Sequence, residues 1–266
     1  MHAFVLSFRS EFYKTRKTLT FLSAILLPLI LCGFLFTGFY LYSDKLTPYS
    51  PLEQWARYMG AILGVMGALI LPMLVIFQTY SINSIEHRSD MWKSVFSLPI
   101  PKWSIYSSKF VYAVFLDALC LSLFATCILL SAWLMNLLLP ELKFNQFDIV
   151  GLLFKIHLKL FLASLGIVSI QFILSLLWAD FLKPMGIGFV LTVAGVICSN
   201  MGWKYAYTIP YSHPSLAMIS IFSAKKSSDM QSLYFELMTR EIYVSLGVAV
   251  VAFIAGYFII SKRSVK

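Results

Sequence analysis

Polar and apolar residues alternate along this chain in long blocks. Six stretches carry no charge at all: 18–43, 58–85, 118–140, 160–179, 184–203 and 242–261. Each holds about 20 residues or more, the number a helix needs to cross roughly 30 Å of hydrocarbon. They are continuous runs of Leu, Ile, Val, Phe and Ala with no period of two, which predicts helices rather than barrel strands. The pattern predicts an all-α fold: a polytopic bundle of six transmembrane helices forming one domain over residues 1–266, preceded by an N-terminal amphipathic elbow helix.

A seventh charge-free window, 205–224, contains Pro210, His213 and Pro214 among several serines. An uninterrupted crossing there is expensive. The expectation is a structured loop, within a connection spanning 203–241, that carries a short amphipathic helix on the membrane face. Re-entry into the membrane is the alternative.

Composition agrees with the block pattern. Hydrophobic residues make up 59% of the 266 and charged residues 12%, about half the charge of an ordinary soluble domain, and the mean hydropathy is +0.81. Too few charges are present to cover so much apolar side chain in water. Disordered, collagen-like, nucleic-acid-binding and disulfide-scaffold classes are excluded. Cys32, Cys120, Cys127 and Cys198 all fall inside proposed spans without a CxxC pair, and the four His form no HExxH. The cysteines are expected as packing residues, and no metal site or cofactor is expected on this chain.

Orientation follows the Lys and Arg flanks. With the N-terminus inside, twelve basic residues fall on inner segments and nine on outer ones, and four of the inner ones (Arg9, Lys14, Arg16 and Lys17) precede the first span. Both termini are therefore expected in the cytoplasm. The first apolar block is too long for a cleavable signal. Residues 1–17 place Phe4, Val5, Phe8 and Phe12 on one helical face, as in a helix lying among headgroups, although a plain basic flank that sets topology reads the same way.

The inner loop 83–109 opens with a charged turn around Glu86 and Arg88. An apolar stripe of Trp92, Val95 and Phe96 follows, then Leu98 and a break at Pro99 and Pro101. Proline at those places predicts two short helices with an elbow. Trp92, Phe96 and Leu98 would form an apolar knob that suits the groove of a soluble partner, or simply a surface loop joining two spans.

Glu86, Trp92-Lys93, Leu98-Pro99 and Ser108-Lys109 at the start of the third span resemble the ABC type-2 transporter permease family. The similarity extends to the small six-span bacterial permeases that include bacteriocin and lantibiotic immunity subunits. The basic elbow helix ending at Lys17, Ile209-Pro210-Tyr211-Ser212 and Lys262-Arg263 support it as a diffuse pattern over nearly the whole chain. That resemblance implies that 83–109 is a coupling loop docking on an ABC ATPase subunit, and it raises Glu86, Arg88 and Trp92 to partner-contact residues. It implies a permease subunit of an exporter in the bacterial plasma membrane.

The chain has no Gly-Lys dipeptide and hence no phosphate cradle of the GxxxxGK[ST] kind. ATP and Mg would be bound by a partner, and this chain is expected to be non-catalytic. Six spans make a thin bundle, so two permease chains per complex are expected, identical or related, with membrane lipid around them and no nucleic acid. The substrate is expected to be an amphiphilic peptide, drug or lipid.

Polar residues inside spans are candidates for a substrate path. Asp117, eight residues beyond Lys109, sits roughly 12 Å into the third span at 1.5 Å per residue; a path carboxylate and a structural pair near the inner interface are both open. Gln78, Asn136, Gln171 and Asn200 line a route or bond helix to helix. Lys155 and Lys159 are expected to snorkel outward. Pro28 and Pro72 are expected to kink their helices. The competing function class is an ATP-independent carrier or an intramembrane enzyme. It lacks the paired His, Glu or Asp of such an enzyme and the repeated halves of such a carrier.

Overall fold

The computed structural model describes residues 2–88, 99–223 and 236–262, together with Met91, Ser94 and Ser97. Its regular elements are all helical. In chain order they are α1 (His2–Thr15), α2 (Leu19–Leu41), α3 (Pro51–Val65), α4 (Leu71–Arg88), α5 (Lys102–Leu138), α6 (Val150–Leu177), α7 (Leu182–Asn200), α8 (His213–Ser223) and α9 (Arg240–Lys262). Six helical stretches are long and apolar enough to span a membrane, with α3 and α4 joined in one of them. The chain is a multi-pass membrane protein.

Each span follows from local sequence. In α2, Thr20, Ala24, Pro28 and Cys32 are buried. That spacing of four sets one narrow face of the helix against the bundle and leaves the rest to lipid. Pro51 opens the first turn of α3, and the Glu53 carboxylate accepts a hydrogen bond from Ser50 N at 3.0 Å, which satisfies a backbone donor left over at the helix start. α3 and α4 form one 38-residue stretch interrupted by a π-helical turn at Met66–Ile70. Pro72 explains the turn's position: it has no N–H to donate back one turn, and widening the helix there accommodates the missing bond.

α5 runs unbroken for 37 residues, about 55 Å at the usual rise, so it extends well beyond the hydrocarbon. α6 is the most buried of the spans and packs on α4, α5 and α9. Small residues bring α9 close. Ser245 Oγ donates to the Leu162 carbonyl at 2.8 Å and accepts from Gly166 N at 3.0 Å.

The connection between α7 and α9 departs from expectation. Rather than lying on the membrane face, it dives into the bundle. Two 3-10 turns, Ala206–Thr208 and Pro210–Ser212, lead into the 11-residue α8. A Cβ added at Gly195 of α7 would stand 2.7 Å from the Tyr211 backbone, and one at Gly166 would stand 3.3 Å from Pro210 Cβ. Gly166 is near the middle of the 28-residue α6. The segment is therefore re-entrant. Ser212 Oγ donates to the Ala206 carbonyl at 2.5 Å, and His213 Nε2 bonds the Tyr207 carbonyl at 2.8 Å. These local bonds satisfy irregular backbone that lipid would leave unpaired. α8 reaches the π turn, where Gly67 admits Met218 and the Pro214 carbonyl.

Candidate functional site: a buried ion cluster at the root of the hairpin

α1, the end of α4 and the start of α5 converge at one end of the bundle. Lys109 Nζ lies 2.8 Å from Glu11 Oε2 and 2.7 Å from Glu86 Oε2. Lys14 Nζ lies 2.8 Å from Glu11 Oε1 and 2.9 Å from Glu86 Oε1. The four groups form a closed square of alternating sign, with each carboxylate bridging both ammoniums. Lys109 also donates to the Ile82 carbonyl at 3.4 Å.

Glu11, Glu86 and Lys109 are almost fully buried, while the Lys14 side chain keeps 28% exposure. Burial by itself would push the Lys14 ammonium down, but the Glu11 and Glu86 charges outweigh it and hold its pKa above the ordinary value. Charges this deep persist only when paired and hydrogen-bonded, because their desolvation is costly.

Side chains around the square fix its geometry. Thr15 Oγ1 bonds the Tyr112 hydroxyl, and Phe8 meets Tyr112 edge-on at 5.7 Å. Phe12 packs edge-on against Phe21 at 5.6 Å. The apolar face of α1 therefore docks largely on protein, although Val5 remains exposed. On the other side of α4, Asn83 Nδ2 donates to Ser175 Oγ at 2.7 Å, His87 Nε2 bonds the Ser175 carbonyl at 3.0 Å, and Tyr80 donates to the Ala179 carbonyl at 3.1 Å. The last two turns of α4 are thus clamped to α1, α5 and the end of α6.

Several sequence expectations change here. Glu86 is fully buried, so it does not face a soluble partner as the resemblance implied; it holds the hairpin root instead. Arg88 is exposed, at the rim of a small cleft it shares with Thr18, Ser84 and Phe181. Trp92, Phe96 and Leu98 lie outside the described residues. Glu11 sits in a basic segment, which hides it in the sequence. Its one sequence signal is a carboxylate three residues before Lys14, which also reads as an ordinary surface pair.

The path candidates do not assemble into one route. Asp117 accepts a 2.5 Å hydrogen bond from Ser164 Oγ, and both residues lie near the middle of their helices. Asp117 lies fifteen residues into α5, because the helix begins at Lys102, well before the charge-free block. Gln171 Nε2 donates to the Tyr211 hydroxyl at 2.7 Å, and Tyr211 is buried in the core. Gln78 is buried with no hydrogen-bond partner among the described residues. Asn200 stands exposed at the end of α7, bonded to its own Val196 carbonyl at 2.9 Å. No hydrogen bond links Asp117, Gln78, Gln171 and Asn200 to one another among the described residues.

Lys159 is also corrected. It is buried rather than snorkelled, donating to Ser220 Oγ at 2.9 Å and to the Glu236 carbonyl at 3.1 Å, with Glu241 at 3.7 Å. It pins the re-entrant segment to the start of α9. Lys155, one turn earlier, is exposed as expected.

A family model described as ABC-2 family transporter protein matches residues 7–195. The chain belongs to the ABC-2 transporter family. That match runs from α1 through most of α7, so the ion cluster lies wholly inside it. Comparison with curated proteins gives no match, and neither does comparison with solved structures. As a member of this family, the protein is a permease of an ABC transporter, and membership implies partnership with an ATPase.

Proposed function

We propose that this ABC-2 permease is the membrane subunit of an ATP-driven exporter whose motor is a separate polypeptide carrying ATP and Mg. Two permease chains pair in the working complex, and the chain itself is non-catalytic. It sits in a bacterial plasma membrane with both termini in the cytoplasm, so that the α4–α5 hairpin and the ion square face the motor. Closure of the ATPase pair pushes on loop 83–109, and the bundle moves an amphiphilic peptide, drug or lipid across or out of the bilayer.

The observation that carries this reading is the square of Glu11, Lys14, Glu86 and Lys109. It ties the root of the hairpin to both the elbow helix and the longest span. A push on the hairpin therefore moves α1, α4 and α5 together, rather than bending a loose loop. Arg88 is exposed just beyond the square, which supports a direct contact with the motor. Glu86 acts by positioning that contact.

The test is ATPase stimulation in a reconstituted complex carrying Glu86→Gln or Arg88→Glu. Glu86→Gln should lower substrate-stimulated hydrolysis while the complex still assembles, and Arg88→Glu should weaken assembly itself. Reversal of all four charges (Glu11→Lys/Lys14→Glu/Glu86→Lys/Lys109→Glu), which rebuilds the alternation of charge around the square, should recover part of the stimulation. Stimulation unchanged in both single variants overturns the coupling role.

A further inference from the structure

On the face opposite the hairpin, α2 and α3 part to leave a cleft of about 770 Å³, within the size range of small-molecule pockets. Its walls are apolar, with Phe34, Leu35 and Phe39 along α2 and Ala56 and Ala61 along α3. The cleft exists because the facing positions are small. A Cβ placed at Gly38 would meet nothing within 4 Å. Phe34 is 73% exposed, so the cleft opens sideways toward lipid.

The polar end of the cleft is positive. Lys45 and Arg57 both line it, and no Asp or Glu is among its lining residues. Each cation is turned over an aromatic ring: Lys45 Nζ stands 4.8 Å from the centroid of Tyr42, and Arg57 Cζ stands 3.7 Å from that of Tyr49. Arg57 lies in the second turn of α3, yet its head reaches back to Tyr49, which precedes the helix. That posture carries the charge toward the headgroup layer and leaves the stem against the apolar wall. Neither cation makes an ion pair among the described residues.

We propose that this cleft binds an anionic phospholipid, its phosphate held between Lys45 and Arg57 and one acyl chain running down the groove beside Gly38. A neutral lipid would leave both cations without a counter-charge. A second copy of the chain seated here about a two-fold axis would bring a second Lys45 and Arg57 to the same place, setting like charges against one another. A diester phosphate on an apolar tail matches both the charge and the shape.

The experiment uses the purified full chain in neutral maltoside detergent. Phosphatidylglycerol or phosphatidylcholine of identical acyl composition is added, and bound lipid is read by native mass spectrometry alongside the thermal midpoint. Each cation near an anionic headgroup is worth about five-fold in affinity, so phosphatidylglycerol should be retained about ten-fold or more over phosphatidylcholine and should raise the midpoint further. Lys45→Gln/Arg57→Gln, exposed substitutions that leave the fold intact, should abolish the preference. Gly38→Leu should reduce binding of both lipids by filling the groove. Glycerol 3-phosphate, which has the anion without the chains, should not displace the lipid. Equal retention of the two lipids, or a preference that survives in the double variant, overturns the proposal. So does displacement by glycerol 3-phosphate. Loss of a chain dimer in Gly38→Leu with the lipid preference intact also overturns it, since a second copy then occupies the cleft.

Discussion

The Tyr211 hydroxyl stands 2.7 Å from Gln171 Nε2, and this single bond marks how far the connection between α7 and α9 enters the bundle. Gln171 is six residues, about one and two-thirds turns, from Leu177 at the hairpin-side end of α6. A tyrosine from a loop on the opposite face can reach it only if the loop folds inward. The re-entrant apex is thus held from two sides, by Gln171 below and by Gly195 beside it.

Gly195→Ala should therefore be costly. The added Cβ would meet Tyr211 C at 2.7 Å and Ser212 N at 2.8 Å, atoms of backbone that cannot rotate away. Overpacking of this kind costs about 1–3 kcal/mol. Gly38→Ala, where a Cβ meets nothing within 4 Å, should be neutral or stabilising by about 0.5–1 kcal/mol. Thermal unfolding of the two variants in one detergent checks the contrast, and equal midpoints would contradict the close approach.

Removing one member of the ion square should hurt more than exchanging its charges. Lys109→Met leaves the two buried carboxylates sharing Lys14 alone, a loss of about 3–5 kcal/mol for a broken buried pair. Glu11→Lys/Lys14→Glu/Glu86→Lys/Lys109→Glu keeps every edge of the square between opposite charges and should recover part of that loss. Chemical denaturation of the purified variants separates the two outcomes.

Lys14 makes the protein sensitive to alkali. Its folded pKa lies above the ordinary 10.5, so the folded state binds the proton more tightly than the unfolded chain does. The stabilisation is complete below about pH 10 and fades as pH rises through the folded value. Unfolding midpoints of the wild type and of Lys14→Met should differ by a constant amount from pH 7 to 10 and converge above it. A gap that stays constant to pH 11.5 contradicts the pairing.

Within the bundle core, Ser164→Ala removes the hydroxyl that serves Asp117 at 2.5 Å. A buried acceptor left without its donor costs about 1–3 kcal/mol. Asp117→Asn/Ser164→Ala should cost less than Ser164→Ala alone if the role is structural, because the amide carries no buried charge. Transport measured in the same variants distinguishes this from a path role, which would lose activity in Asp117→Asn at full stability.

Six apolar blocks separated by charge were enough to determine the spans, their number and the all-α class, because an isolated backbone in lipid must satisfy its own hydrogen bonds. Family resemblance was also legible, in the charged turn at Glu86 and the Ser108-Lys109 step. What hydropathy could not determine was the fate of charged or broken segments, since it scores each residue against lipid and not against a neighbour distant in sequence. Lys159 and Glu86 read as surface charge until Glu241 and Lys109 are brought to them. The 205–224 window reads as too polar to enter until the helices around it supply small residues at Gly166 and Gly195. Tertiary structure alone decided those, because partners 23 to 98 residues apart meet only after the bundle closes.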